Sequence, residues 1–131
     1  MSLTVNTMRG SDAESHKVRV ELVGSLDTAT ANECQQSLAP FVEDPAVTTM
    51  IFDLAGLEFL SSAGIRVLLA ARKKITKRKG RLLMVNLQPQ IEKVFVVIKA
   101  LPNMSVFSNM QELDDYLAGI QAKVREKQSG S

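Results

Sequence analysis

Three features of the sequence predict an α/β fold, with one domain built on an open, mostly parallel sheet. Short apolar segments with strand patterning alternate with amphipathic segments of ten or more residues, as β-α-β crossovers require. The chain has 131 residues, a length that suits one domain. Hydrophobic residues make up 45% of it, enough to close a core. The domain is expected over residues 1–124, followed by a polar, disordered tail at 125–131.

The first six residues after Ser2 alternate weakly from Leu3 to Met8 and predict an edge strand, with a polar turn from Arg9 to Lys17. Val18-Arg19-Val20-Glu21-Leu22-Val23 is the clearest alternating strand, closed by Gly24. No helix separates these two strands, so that end of the sheet is expected to be antiparallel. Ser25-Leu26-Asp27 leads into the first helix. There Thr30 and Glu33 have capping-box spacing, and Ala31, Cys34, Leu38 and Phe41 share a face. Pro40 lies near its end and Glu43-Asp44-Pro45 reads as a turn.

Thr48 to Leu54 is a short, nearly continuous apolar run, the pattern of a strand buried on both faces. A loop is expected from Ala55 to Ser61, then a second helix from Ser62 to Lys79. Its inner face is Ile65, Leu68, Leu69 and Ile75, with Gly64 and Ala71 permitting close approach. Gly80 is a fitting stop behind Lys77, Arg78 and Lys79, whose charges suit the helix dipole. Arg81 to Asn86 is the next strand. A third helix follows from Pro89 to Ala100, with Ile91, Val94, Phe95 and Ile98 on one face. Pro102-Asn103 is a turn, Met104 to Phe107 a short strand, and Asn109 with Glu112 caps a last helix carrying Leu113, Tyr116, Leu117 and Ile120.

Composition removes several function classes. One cysteine, Cys34, excludes an internal disulfide and any multi-cysteine zinc site, and one histidine, His16, removes most His-based metal and acid–base arrangements. No phosphate-cradling glycine motif and no G-x-S-x-G elbow occurs, no general base accompanies a serine, and the chain is expected not to be an enzyme. No run approaches the roughly eighteen apolar residues of a membrane span, and a reduced, cytoplasmic domain without membrane insertion is expected. Eight of the sixteen Lys and Arg residues (Arg66, Arg72, Lys73, Lys74, Lys77, Arg78, Lys79 and Arg81) fall between Ser62 and Arg81 with no acid among them. They read as a solvated helix face, a partner-docking face or a nucleic-acid surface. The last is disfavoured by a net charge of only +2 and the lack of stacking aromatics in that segment.

The unusual segment is Asp53-Leu54-Ala55-Gly56-Leu57-Glu58-Phe59-Leu60-Ser61-Ser62-Ala63-Gly64-Ile65. Its plain structural reading is that Ser61 or Ser62 caps a helix, a contribution of about 1 kcal/mol. Its functional reading is a serine displayed at a helix N-terminus beyond a parallel strand, where sites gather in open α/β sheets. A phosphate there would meet unpaired N–H groups and the positive end of the helix dipole.

That segment resembles the signature of STAS domains, and more narrowly of stand-alone anti-sigma factor antagonists. The pattern is a strand ending in Asp-Leu, a loop with an aromatic residue, then a serine-containing turn and a glycine before a helix. Gly24-Ser25-Leu26-Asp27-Thr28-Ala29 is similar to the family's second recurring piece, and the element order agrees over nearly the full length. Aligned on Gly64, Ser62 takes the place of the family's phosphorylated serine. Ser61 then stands where Asp is often found, and Ala63 where a Ser or Thr follows. The resemblance implies an anti-sigma factor partner that is also a serine kinase of the histidine-kinase-like ATPase fold. The unphosphorylated antagonist would bind this kinase and free its target, the form phosphorylated on Ser62 would let go, and a PP2C-type phosphatase would restore binding. Asp27 matches an acidic position beside the switch serine, where it could orient the hydroxyl or the incoming phosphate group, and Ser61 is the second candidate acceptor. Leu60, Ser61, Ala63 and Arg66 would form the docking patch with the Asp27 turn. No cofactor is implied. A soluble STAS subunit of a lipid or anion transporter is the alternative. The phospho-switch reading requires Ser62 to begin the second helix and to face solvent.

Overall fold

A computed structural model of the protein describes residues 2–100 and 109–129. Four strands lie in the order in which they occur in the chain: β1 (Leu3–Arg9), β2 (Lys17–Leu26), β3 (Thr49–Leu60) and β4 (Arg81–Val85). The first pair is antiparallel, with Leu3 opposite Gly24 and Arg9 opposite Val18, and the other two pairs are parallel. Helices α1 (Ala31–Val42) and α2 (Ser62–Lys77) make the two crossovers, and α3 (Pro89–Ala100) and α4 (Met110–Ser129) follow β4. The predicted α/β architecture with an antiparallel first pair is therefore observed. The expected strand at Met104–Phe107 lies outside the described residues.

Both crossovers step the same way across the sheet. Right-handed connections then place α1 and α2 on one face. Val18, Val20 and Leu22 of β2 and Met50, Phe52 and Leu54 of β3 are buried. The alternate residues are not: Glu21 and Val23 are exposed, and Ile51 and Asp53 are half-buried. The apolar run around Ile51 thus belongs to a strand buried on one face, not two. Cys34 sits in this core, where burial pushes its thiol up to about 11.

β3 is far longer than its sequence suggests, continuing through the expected loop to Leu60. Its pairing with β2 slips twice: Glu21 faces Asp53 but Val23 faces Gly56, and Gly24 faces Leu57 but Ser25 faces Phe59. Each slip adds one residue to β3, a bulge. Buried positions then fall at Leu54, Leu57 and Leu60, three apart, so the period of two disappears. Gly56 sits at the first bulge, where a Cβ would come within 2.9 Å of Val23 Cγ2. Asp53 secures this point. Its carboxylate accepts from Ala55 N at 3.1 Å, Asn86 Nδ2 at 3.2 Å and Arg19 Nη2 at 2.7 Å, tying β2, β3 and the end of β4 together.

Several helix ends differ from expectation. α1 is capped by Asp27, not by the Thr30–Glu33 box. Asp27 Oδ1 accepts from Ala29 N and Thr30 N at 3.0 and 3.1 Å, while Asp27 N donates back to Thr30 Oγ1 at 3.0 Å. The reciprocal pair is the same device three residues earlier. Pro40 is accommodated inside the last turn of α1. In α2, Val67 and Ala71 take inward positions and Leu69 is exposed. The left-handed residue that ends α2 is Lys79, φ 64°, not Gly80. Gly80 is needed instead for closeness, since a Cβ there would lie 2.5 Å from Thr48 O. In α4, Tyr116 is exposed and Gln121 joins Leu113 and Leu117 on the buried face. α4 also runs on to Ser129, so residues 125–129 of the expected tail are helical. Ala122, Lys123, Arg125, Glu126 and Lys127 are good helix formers and extend a helix without needing burial.

The bonds from Ala55 N, Asn86 and Arg19 hold the Asp53 carboxyl below the usual carboxylate range. A depressed folded value means stability that is present above the unfolded value, about 3.9, and is lost as pH falls through the folded one. Asp53→Asn should therefore lower the melting temperature at pH 7. The gap from the parent chain should narrow as pH falls from about 4 towards 2, followed by thermal denaturation monitored by circular dichroism.

Candidate functional site

The two bulges carry β3 far enough that Leu60 pairs with Leu26, so both strands end side by side. Ser61 N donates to Leu26 O at 3.0 Å as the last link between them. Ser61 then leaves the strand as the N-cap of α2, and its Oγ accepts from Gly64 N at 3.3 Å. Ser62 is the first residue of the helix. Gly64 lets the helix start this close to β2, because a Cβ there would meet Leu26 O at 2.6 Å and Leu60 Cδ1 at 2.9 Å.

β4 ends opposite Asp53, and among the described residues no strand pairs with the bulged half of β3 on that side. Glutamine side chains take the place of one. Gln88 Nε2 donates to Ala55 O at 2.7 Å, and Gln90 Nε2 donates to Glu58 O at 3.0 Å. Gln121 of α4 holds both groups of Leu60, accepting from its N at 2.9 Å and donating to its O at 2.8 Å. Asp114, also on α4, accepts from Ser62 N at 2.8 Å. α4 therefore crosses the start of α2. Burial of Leu113 and Leu117 supplies about 1.5–3 kcal/mol each, against about 0.5–1.5 for each hydrogen bond. Apolar contact thus decides that α4 docks, and Asp114 and Gln121 decide where.

This placement corrects the expected display of the serines: Ser62 begins α2 as required, but the requirement that it face solvent is not met while α4 is docked. Ser62 is 2% exposed and Ser61 4% exposed. Leu60, expected in the docking patch, is a fully buried core residue. Ala63 is half-buried, and Arg66 is exposed one turn further on. Asp27 lies at the same end of the sheet, next to Leu26, but its Oδ1 is engaged with the first turn of α1. Arg66, Ala63 and Ala70 line one wall of a groove of about 420 Å³ between α1 and α2, with Thr28, Asn32 and Gln35 opposite. The cation-rich face is partly structural: Arg78 donates to the carbonyls of Phe41, Val42 and Val47, and Lys74 pairs with Glu43.

Gln88, Gln90, Asp114 and Gln121 escape sequence reasoning. The one local signal is a glutamine on an apolar face: Gln121 sits four residues after Leu117, and Gln90 directly precedes buried Ile91.

A bulged parallel strand that delivers a serine pair to the start of a helix, beside an acidic turn on the neighbouring strand, defines a STAS-type α/β domain. The chain belongs to the STAS domain family, whose model matches residues 12–113. Among related proteins, BtrV of Bordetella bronchiseptica, provisionally named an anti-sigma factor antagonist, is 33% identical over 76 residues, 58% of this chain and 65% of that one. An anti-sigma F factor antagonist of Lysinibacillus sphaericus is 30% identical over 78 residues, 60% of this chain and 67% of that one. The chain thus spans about two thirds of the length of these relatives. The fold is similar to that of the Bacillus cell fate determinant SpoIIAA in its phosphorylated form, with TM-score 0.60 and 23% identity over 72% of this chain and 82% of that one. Its unphosphorylated form gives the same score at 24% identity, over 71% and 82%. Among the described residues no helix is long and apolar enough to cross a membrane.

Gly64→Ala tests the close approach on which the site's geometry rests. Alanine favours a helix over glycine by about 1 kcal/mol, but here its methyl meets a backbone oxygen, and overpacking costs about 1–3 kcal/mol. A net loss of stability is expected in urea denaturation. A gain would show that α2 has room to move away from β2.

Proposed function

We propose that the protein is an anti-sigma factor antagonist that binds its anti-sigma factor when unphosphorylated and is released by phosphorylation of Ser62. The observation that carries this reading is the position of Ser62 as first residue of α2, in the turn Ser61-Ser62-Ala63-Gly64 at the end of a parallel strand. Its support is the family membership together with the antagonist relatives. The solved form of SpoIIAA described as phosphorylated is a further likeness, at the level of fold.

The start of α2 taken alone favours a phosphate, whereas the Asp114 carboxylate bound to Ser62 N opposes one while α4 is docked. The first turn of α2 carries no acid, its dipole presents positive charge there, and Arg66 follows within a turn. A phosphoserine adds about −1.5 to −2 charge and three strong acceptors. It would remodel the surface around the α1–α2 groove while leaving the sheet alone, as a change of partner requires. The partner in this reading is an anti-sigma factor that is also a serine kinase of the histidine-kinase-like ATPase fold. A PP2C-type phosphatase reverses the mark. Ser61 is the weaker acceptor, since its Oγ already serves as the cap of α2.

Ser62→Ala should abolish labelling by the co-encoded kinase and ATP while preserving complex formation, read by intact-mass analysis and pull-down. The fold should survive, because the cap of α2 is Ser61. Ser61→Ala should lose about 1 kcal/mol of stability but still be labelled. Labelling of Ser62→Ala together with failure of Ser61→Ala would move the acceptor to Ser61.

Charge reversal at Arg66 should weaken kinase binding, whereas reversal at exposed Lys123 on α4 should leave it unchanged. Equal effects, measured by titration calorimetry, would remove the first turns of α2 from the interface.

A further inference from the structure

The burial of Ser62 needs explaining in a residue read as a phosphate acceptor. A kinase must bring the γ-phosphate in line with the hydroxyl, and at 2% exposure the residue cannot enter an active site as it stands. The geometry points to α4 as a detachable latch: its docking over the start of α2 and a phosphate on Ser62 exclude one another. The regulatory use of this latch rests on Ser62 being the acceptor; the competition itself is a property of the fold.

Asp114 is the centre of the competition. It places a carboxylate on Ser62 N–H at 2.8 Å, at the positive end of α2. A phosphate on the same residue would seek the same N–H and the same end of the helix. Two anions cannot share that position without strong repulsion, so one must leave. Phosphate is tethered covalently to Ser62, whereas Asp114 is held there only by the docking of α4. The latch requires that α4 itself yields, against the apolar docking of Leu113 and Leu117, rather than that the Asp114 side chain turns aside. Gln121 is the second fastening, and it releases Leu60 N and O when α4 lifts.

α4 also carries a local weakness. Gly119 lies in its interior, and a Cβ there would meet nothing within 4 Å. Close packing does not require that glycine, yet it weakens the helix relative to alanine. Coupling of this kind is reciprocal. If phosphate weakens α4 docking, docked α4 opposes phosphorylation by the same factor, and anything that draws α4 away makes Ser62 a better substrate.

The test uses the full chain with phosphoserine installed at position 62 during synthesis, so that no kinase is needed. Hydrogen exchange is then followed by mass spectrometry. Amides of α4 around 113–121 should exchange at least tenfold faster than in the unmodified chain, while those of β2 around Val20 and β3 around Phe52 keep their protection. Asp114→Asn should remove most of that acceleration, because an amide does not repel the phosphate. Protection of α4 within twofold of the unmodified chain would overturn the latch and leave the phosphorylation reading intact. If phosphoserine instead loosens the whole domain, Gly119→Ala decides. A firmer α4 should slow labelling of Ser62 by kinase and ATP several-fold, and an unchanged rate would overturn the latch. If α4 is released but neither chain is ever labelled on Ser62, the acceptor assignment falls and the regulatory use of the latch falls with it.

Discussion

The structure depends on one unmet requirement: the far half of β3 has backbone groups to satisfy after β4 has ended. A buried carbonyl or N–H without a partner costs about 1–3 kcal/mol; Leu60 presents both groups in the core beyond the last strand pair, and Ala55 and Glu58 present carbonyls nearer the surface. Gln88, Gln90 and Gln121 answer them with side-chain amides, whose donor and acceptor geometry matches that of a peptide. This arrangement draws α3 and α4 to the end of the sheet that carries the serines. Without it, α4 would have an apolar stripe but no fixed place to lay it.

The same requirement explains why the bulges matter to function. Two extra residues in β3 extend the strand until Leu60 reaches Leu26, and only then can Ser61 close onto β2 and start α2. Asp53 steadies the first bulge, and Gly64 removes the side chain that would hold α2 away from β2. The serine pair sits where a strand, a helix N-terminus and a crossing helix meet. Small changes in charge at that junction act on all three elements. The α1–α2 groove nearby is lined by Thr28, Asn32 and Gln35 on one side and by Ala63, Arg66 and Ala70 on the other.

Local signals in the chain specify most of the elements. Alternation marked β2, the apolar faces marked α1 to α4, and the serine pair before Gly64 marked the start of α2. Misreadings have specific causes. β3 looked like a loop after Leu54 because each bulge changes the spacing of buried residues from two to three. Thr30 and Glu33 have the spacing of a capping box, but Asp27 and Thr30 form it. The spacing of Tyr116 from Leu113 points it to the inner face of α4, but the helix instead buries Gln121, a polar residue with backbone partners far along the chain.

The sequence by itself determined the order of elements, the parallel α/β class, the serine at the head of α2 and the family likeness. All of these rest on residues within a few positions of one another: hydrophobic period, caps, glycines and a contiguous motif. Only the tertiary structure decided that the motif is covered. Asp114 reaches Ser62 across 52 positions and Gln121 reaches Leu60 across 61, through bonds to backbone groups that every residue type carries. A bond to a peptide N–H leaves no mark on the identity of the residue that donates it, so no local pattern could announce that α4 lies over Ser62.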